Sequence, residues 1–245
     1  MKTLFKQHPF VSAVLIFIGE VLLAALSQVA AQKLLPNFNP AFIGVIVLTL
    51  ATIALVGALR WWREVGITWQ SEWRNLNLLW LPAAVILLPP LVGGFKALSW
   101  GTVAFLTVAY ILTGLNEELL WRGVVVNVLR PTGPWRAMFI SALLFGLAHL
   151  PNILVRGNPA IIFAQALGAF CDGAGFAALR LRTNTIWPLI GLHFLHDLLL
   201  NTMRLPLIPV DVVQVTILLI YGIYIMRHYQ PETVTPNPQP AANVA

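Results

Sequence analysis

The six residues Glu117-Glu118-Leu119-Leu120-Trp121-Arg122 place two adjacent carboxylates and a guanidinium inside a stretch otherwise apolar enough to lie in lipid. A charge at the centre of a bilayer costs about 2.5–3.5 kcal/mol on insertion scales, so such groups mark a bundle interior or a polar cavity and read as a functional site. Glu118 and Arg122 stand four apart with the acid first, the order that favours a helical ion pair. Glu117 points about 100° away around the helix and has no local counter-charge. One acid therefore reads as structural and the other as free to react. Further along, His149 closes Phe145-Gly146-Leu147-Ala148-His149, and His193, His196 and Asp197 share one helix face at i, i+3 and i+4. Glu20 and Asp172 are the remaining acids at membrane depth and read as packing or snorkelling residues. His196 reads as a histidine bonded to a backbone carbonyl, and Phe145 as core packing beside the site.

A carboxylate and an imidazole beside a water molecule can act as a general base, and a second imidazole with a hydrogen-bonding neighbour can stabilise an oxyanion. That set is sufficient to hydrolyse an amide. Glu117, His149 and His193 could still ligate Zn2+ from separate helices, although the contiguous His-Glu-x-x-His arrangement is absent. No Gly-x-Ser-x-Gly elbow appears, and the single cysteine, Cys171, is distant in sequence from the histidines.

The elements that must position these groups are membrane helices. Of 245 residues, 58% are hydrophobic and 10% charged, with mean hydropathy +0.80; soluble domains carry about 25% charged residues. The net charge of +6 could suggest nucleic acid, but the basic residues stand at segment ends rather than on one face with interleaved aromatics. A spanning helix needs about 20 apolar residues. On that measure segments fall at 10–31, 41–59, 76–95, 101–129, 134–150, 158–179, 186–204 and 208–226, giving an all-α polytopic bundle of about eight transmembrane helices around a polar cavity. The first is read as an uncleaved span. The fourth is long enough to be tilted, broken near Gly114 or partly outside the membrane. Pro82, Pro89 and Pro90 are expected to kink or end the third. Arg60-Trp61-Trp62-Arg63-Glu64 and Trp69 to Arg74 suit the headgroup zone as a surface helix. Residues 1–229 read as one transmembrane domain and 230–245, rich in Pro and Asn, as a disordered tail.

With the N-terminus inside, the cytoplasmic side receives Lys2, Lys6, Arg60, Arg63, Arg74, Arg130, Arg136, Arg180, Arg182 and Arg227, and the other side Lys33, Lys96, Arg156 and Arg204. Arg122 stays at membrane depth. Ten against four obeys the positive-inside rule and places both termini in the cytoplasm.

Glu117-Glu118-x-x-x-Arg122, Phe145-x-x-x-His149 and His193-x-x-x-Asp197 resemble the three motifs of the CPBP intramembrane proteases, which embrace the type II CAAX prenyl endopeptidases and the Abi, or bacteriocin-immunity, proteins. The resemblance covers about Thr113 to Asn201. It implies a helical intramembrane endopeptidase acting near the cytoplasmic leaflet on a peptide or protein substrate, prenylated or membrane-embedded, within the lipid bilayer. It also implies roles: Glu117 and His149 activate water, His193 and Asp197 stabilise the oxyanion, and Glu118 and Arg122 hold the site in shape. The last motif position is often Asn in the prenyl proteases and is Asp197 here, and an ionised Asp cannot donate to an oxyanion. Asp197 could instead orient His193 or His196, stay protonated, or favour a bound cation. The favoured mechanism needs no cofactor; the zinc alternative uses Glu117, His149 and His193. Two other functions fit the same polar residues: an ion-coupled secondary transporter, and a non-catalytic immunity or scaffold protein.

Overall fold

The computed structural model describes residues 5, 7–67, 75–153 and 157–228. The helices, in chain order, are α1 (Pro9–Leu34), α2 (Pro40–Leu59), α3 (Trp80–Gly93), α4 (Trp100–Glu117), α5 (Val126–Leu129), α6 (Pro134–Leu147), α7 (Pro159–Thr183), α8 (Trp187–Thr202) and α9 (Leu207–Arg227). A π-helical segment, Glu118–Val125, joins α4 to α5, so one unbroken rod runs from Trp100 to Thr132. The long fourth segment is continuous at Gly114; what changes is its winding, one turn later.

Local chemistry sets most of the helix ends. Asn39, Ser99 and Asn158 each accept hydrogen bonds from first-turn amides of α2, α4 and α7. Proline occupies the first turn of α1, α2, α6, α7 and α8, where its missing N–H is no loss. Pro89 and Pro90 lie inside α3, which ends soon after them at Gly94 with φ +71°.

All eight expected segments are helical, and six reach the length and apolarity of a crossing: Pro9–Leu34, Pro40–Leu59, Leu76–Gly93, Trp100–Thr132, Pro159–Thr183 and Leu207–Arg227. The other two, α6 and α8, have 14 and 16 residues. At 1.5 Å per residue they span about 21 and 24 Å, short of a hydrocarbon core of about 30 Å. Helix α8 carries His193 and His196, and His149 follows just past the end of α6.

The apolar core forms around the π segment. All eight of its residues are buried, and Leu119, Trp121 and Val124 pack with Val56, Leu59, Val65 and Ile186. A second core gathers Met138, Phe176, Ala177, Leu189 and Leu218. Outward faces are apolar too, as a lipid-facing surface must be: Leu26, Leu91 and Trp100 are exposed. Close backbone approaches fix two crossings. A Cβ on Gly222 of α9 would lie 2.9 Å from the Cα of Gly175 on α7. A Cβ on Gly114 of α4 would lie 3.1 Å from the Ile190 carbonyl oxygen of α8.

The Arg60–Ile67 link is a series of turns rather than a surface helix. Trp61 and Val65 are buried in the first core, with Trp61 beside Phe5, because the turns tuck under the bundle instead of lying flat on it. Trp187 of α8 donates its indole N–H to the Ile67 carbonyl at 2.7 Å. The rest of the expected surface helix (Trp69 to Arg74), the tail 230–245, Lys2, Lys6 and Arg156 lie outside the described residues.

Candidate active site

The acid pair sits where α4 gives way to the π segment: Glu117 is the last α-helical residue and Glu118 the first π-helical one. A π turn bonds i to i+5 and appears mostly as a local insertion at functional sites. Glu118 and Arg122 nonetheless pair, with Arg122 Nη1 3.0 Å from Glu118 Oε1. The guanidinium also donates from Nη2 to Asp172 Oδ2 of α7 at 3.3 Å and lies over the Phe145 ring, 4.3 Å from its centroid. Glu118 and Arg122 are both fully buried. Asp172 is thus an ion-pair partner rather than a packing residue. The signal for it was available: two acids in separate segments and a single cation, Arg122, placed at that depth by the charge alternation.

Helix α8 brings the second group. His193 is buried, and its Nδ1 lies 2.7 Å from Glu118 Oε1. With Nδ1–H donating to Glu118, the ring is fixed and Nε2 is turned toward Glu117 Oε2 at 3.5 Å and Asp197 Oδ2 at 3.7 Å. The two carboxylates around Nε2 are the open ones: their side chains are 20% and 26% exposed, against 0% for Glu118. Burial separates the adjacent acids into a holder and a reactive group. Gly114 makes this approach possible, since an added Cβ would stand 3.1 Å from the Ile190 carbonyl oxygen and 3.3 Å from the Phe194 amide nitrogen on either side of His193.

Helix α6 brings the third. His149 lies just past its end, with Nδ1 2.9 Å from the Phe145 carbonyl oxygen. That oxygen can only accept, so Nδ1 carries the hydrogen and Nε2 is left to accept or relay a proton. The ring meets Phe145 edge-on at 5.0 Å, and His149 interacts electrostatically with both Glu117 and Asp197. Phe145 therefore touches the site twice, under Arg122 and against His149, as well as packing on Trp121 at 5.7 Å.

Two further sequence expectations change. His196 does not bond a backbone carbonyl: its Nδ1 faces Asp197 Oδ1 at 3.8 Å and its Nε2 faces Asp211 Oδ1 of α9 at 3.4 Å. Glu20 is not isolated in α1. It interacts with Trp121 and Asn116, and Asn116 Oδ1 accepts from Thr52 Oγ1 of α2 at 2.8 Å. Nothing in the spacing of Asn116, Thr52 or Asp211 marks them, since each depends on which helices become neighbours.

Among the described residues no group of three or more His, Cys, Asp or Glu side chains is placed to hold a metal ion. Glu117, His149 and His193 do not form such a group.

Residues 99–199 match the family model described as Type II CAAX prenyl endopeptidase Rce1-like. That stretch begins at the Ser99 cap of α4 and runs through most of α8, so it contains Glu117, Glu118, Arg122, Phe145, His149, His193, His196 and Asp197. No match is found among the curated proteins or among the solved structures.

Proposed function

We propose that this chain is an intramembrane endopeptidase that hydrolyses a peptide bond near the cytoplasmic leaflet. Its substrate is a peptide or protein within the bilayer, and prenylated CAAX peptides are the class that the family matched over 99–199 suggests. The observation that supports this reading most strongly is the placement of one ring: His193 Nδ1 on buried Glu118 at 2.7 Å, and Nε2 facing open Glu117 at 3.5 Å.

In this reading a water molecule lies between Glu117 and His149. Glu117 takes its proton and the hydroxyl oxygen attacks the scissile carbonyl carbon. Charge develops on the carbonyl oxygen, and the His193 Nε2–H donates to it. The negative Glu118 behind Nδ1 and Asp197 beside Nε2 stabilise the imidazolium that makes this donation. As the tetrahedral centre collapses, the C–N bond breaks and Glu117 returns the proton to the departing amine. Asp197 thus works through His193 instead of touching the oxyanion, which answers how an acceptor-only side chain fits here. Glu118 and Arg122 keep the ring and the acid in register.

The test is purified protein in nanodiscs, given a farnesylated CAAX peptide and a panel of transmembrane peptides, with products read by mass spectrometry. Cleavage at one bond, with one oxygen from labelled water in the new carboxylate, is expected. Absence of cleavage across both sets, with solute uptake by the same protein in proteoliposomes, would replace the protease with a carrier.

A further inference from the structure

The mechanism leaves His196 and Asp211 unused, although both lie against it. From the reactive ring outward, four titratable groups follow one another: His193 Nε2 to Asp197 Oδ2 at 3.7 Å, Asp197 Oδ1 to His196 Nδ1 at 3.8 Å, and His196 Nε2 to Asp211 Oδ1 at 3.4 Å. His196 is buried, at 8% exposure. Asp211 comes from α9, beyond the stretch that matches the family, and its carboxylate would stand 3.8 Å from a Cβ added at Gly168 of α7.

Two features define what this chain of groups can do. First, at 3.8 and 3.4 Å, with no hydrogen bond formed at Nε2, these are charge contacts, and an imidazole attracts a carboxylate at each nitrogen as a cation. Second, charge must balance in a cluster that is only partly open to water, with the Asp197 and Asp211 side chains 26% and 31% exposed. Glu117, Glu118, Asp172, Asp197 and Asp211 are five carboxylates in the cluster, and Arg122, held by Glu118 and Asp172, is its guanidinium. Asp172 also acts on His196 electrostatically from α7. Arg122 serves the sealed pair Glu118 and Asp172, so the cation placed between the partly open Asp197 and Asp211 is the His196 ring.

We propose that His196, anchored by Asp211 of α9, is a positioning residue whose cationic ring holds the Asp197 carboxylate against His193. This rests on the protease reading for its catalytic consequence, but the placement itself is testable without turnover. The last helix then completes the site, and the stretch 99–199 alone lacks the anchor.

The test pairs a spectroscopic measurement with a mutant cycle on the full chain. Histidine-selective 15N labelling, with His196 identified by its loss in His196→Gln, is expected to show both ring nitrogens protonated in the wild type at neutral pH. Asp197→Asn, whose amide can donate to Nδ1, is expected to convert the ring to a neutral tautomer. In parallel, His196→Gln should lower kcat by about tenfold or more with KM changed less than twofold. In an Asp197→Asn background the same change should alter kcat less than twofold, because the carboxylate that needed the cation is gone. Asp211→Asn should reproduce the wild-type-background loss and add little to His196→Gln. A neutral His196 ring in the wild type, or a ring unmoved by Asp197→Asn, overturns the proposal even if the protein cleaves nothing. An equal kcat loss in both backgrounds reduces His196 to packing and overturns it as well.

Discussion

Adjacent residues of the same type do different work here because one faces inward and the other faces the cavity. Glu118 is sealed between Arg122 and His193, at 3.0 and 2.7 Å, while Glu117 keeps access to water. The spacing of Glu118 and Arg122 revealed that ion pair before any coordinates, and the lack of a local partner for Glu117 was equally legible. The third dimension was not. That Glu118 also fixes His193, and that Asp172 shares Arg122, depends on contacts between residues 75 and 50 positions apart. Glu118→Ala leaves Arg122 and His193 without their shared carboxylate, and the loss on breaking a buried pair is about 3–5 kcal/mol. Its thermal midpoint should therefore fall clearly below the wild type, whereas Glu117→Gln, at a more open position, should hold its midpoint. Equal midpoints for Glu118→Ala and the wild type would contradict the holding role. Phe145→Leu removes a ring that Arg122 and His149 both touch; it should lose part of a cation–π contribution of about 0.5–2 kcal/mol and a larger share of activity, measured by melting and by turnover on the same preparation.

Helices announced themselves by apolar length, and the boundaries agree closely where proline or an Asn cap sets them: 41–59 was expected and Pro40–Leu59 is observed. Two element-scale features had no sequence signal. The π segment is invisible because Glu118 and Arg122 stand four apart, the spacing of an ordinary α-helix, so the sequence reads as α through it. The shortness of α6 and α8 is the other, since the apolar runs continue past their ends into turns and loops. Gly114 links these elements. Leucine there would collide with the Ile190 and Phe194 backbone of α8 and shift His193 from Glu117, and a displacement near 1 Å can cost about a hundredfold. Gly114→Leu is expected to lower kcat by that order while Gly101→Leu, where an added Cβ meets only a distant hydroxyl, changes it little. Comparable rates in the two variants would remove helix approach from the account.

Across the whole molecule, the charge asymmetry of the sequence becomes a polarity of the bundle. Arg180 donates to the Glu64 carbonyl, Arg130 and Arg180 share Asn184, and Arg182 reaches the His228 carbonyl. These contacts collect the 60–67 turns, the α7–α8 link and the end of α9 at one face. Lys96 bonds the Asn201 carbonyl and Gly94 pairs with Arg204 at the other. Facing the arginine-rich end to the cytoplasm is the orientation that the positive-inside rule favours. In a Cys171→Ser background, Asn37→Cys should react with an impermeant thiol reagent on intact cells and His228→Cys only after permeabilisation; the reverse pattern would invert the topology. In the proposed reaction the stretches around residues 117, 149 and 193 meet to activate one water molecule. The single-turnover cleavage rate of Glu117→Gln, compared with wild type at matched thermal midpoint, measures that activation. A loss of about 10²–10⁴-fold is expected, the contribution of a general base, and a rate within a few-fold of wild type would rule it out.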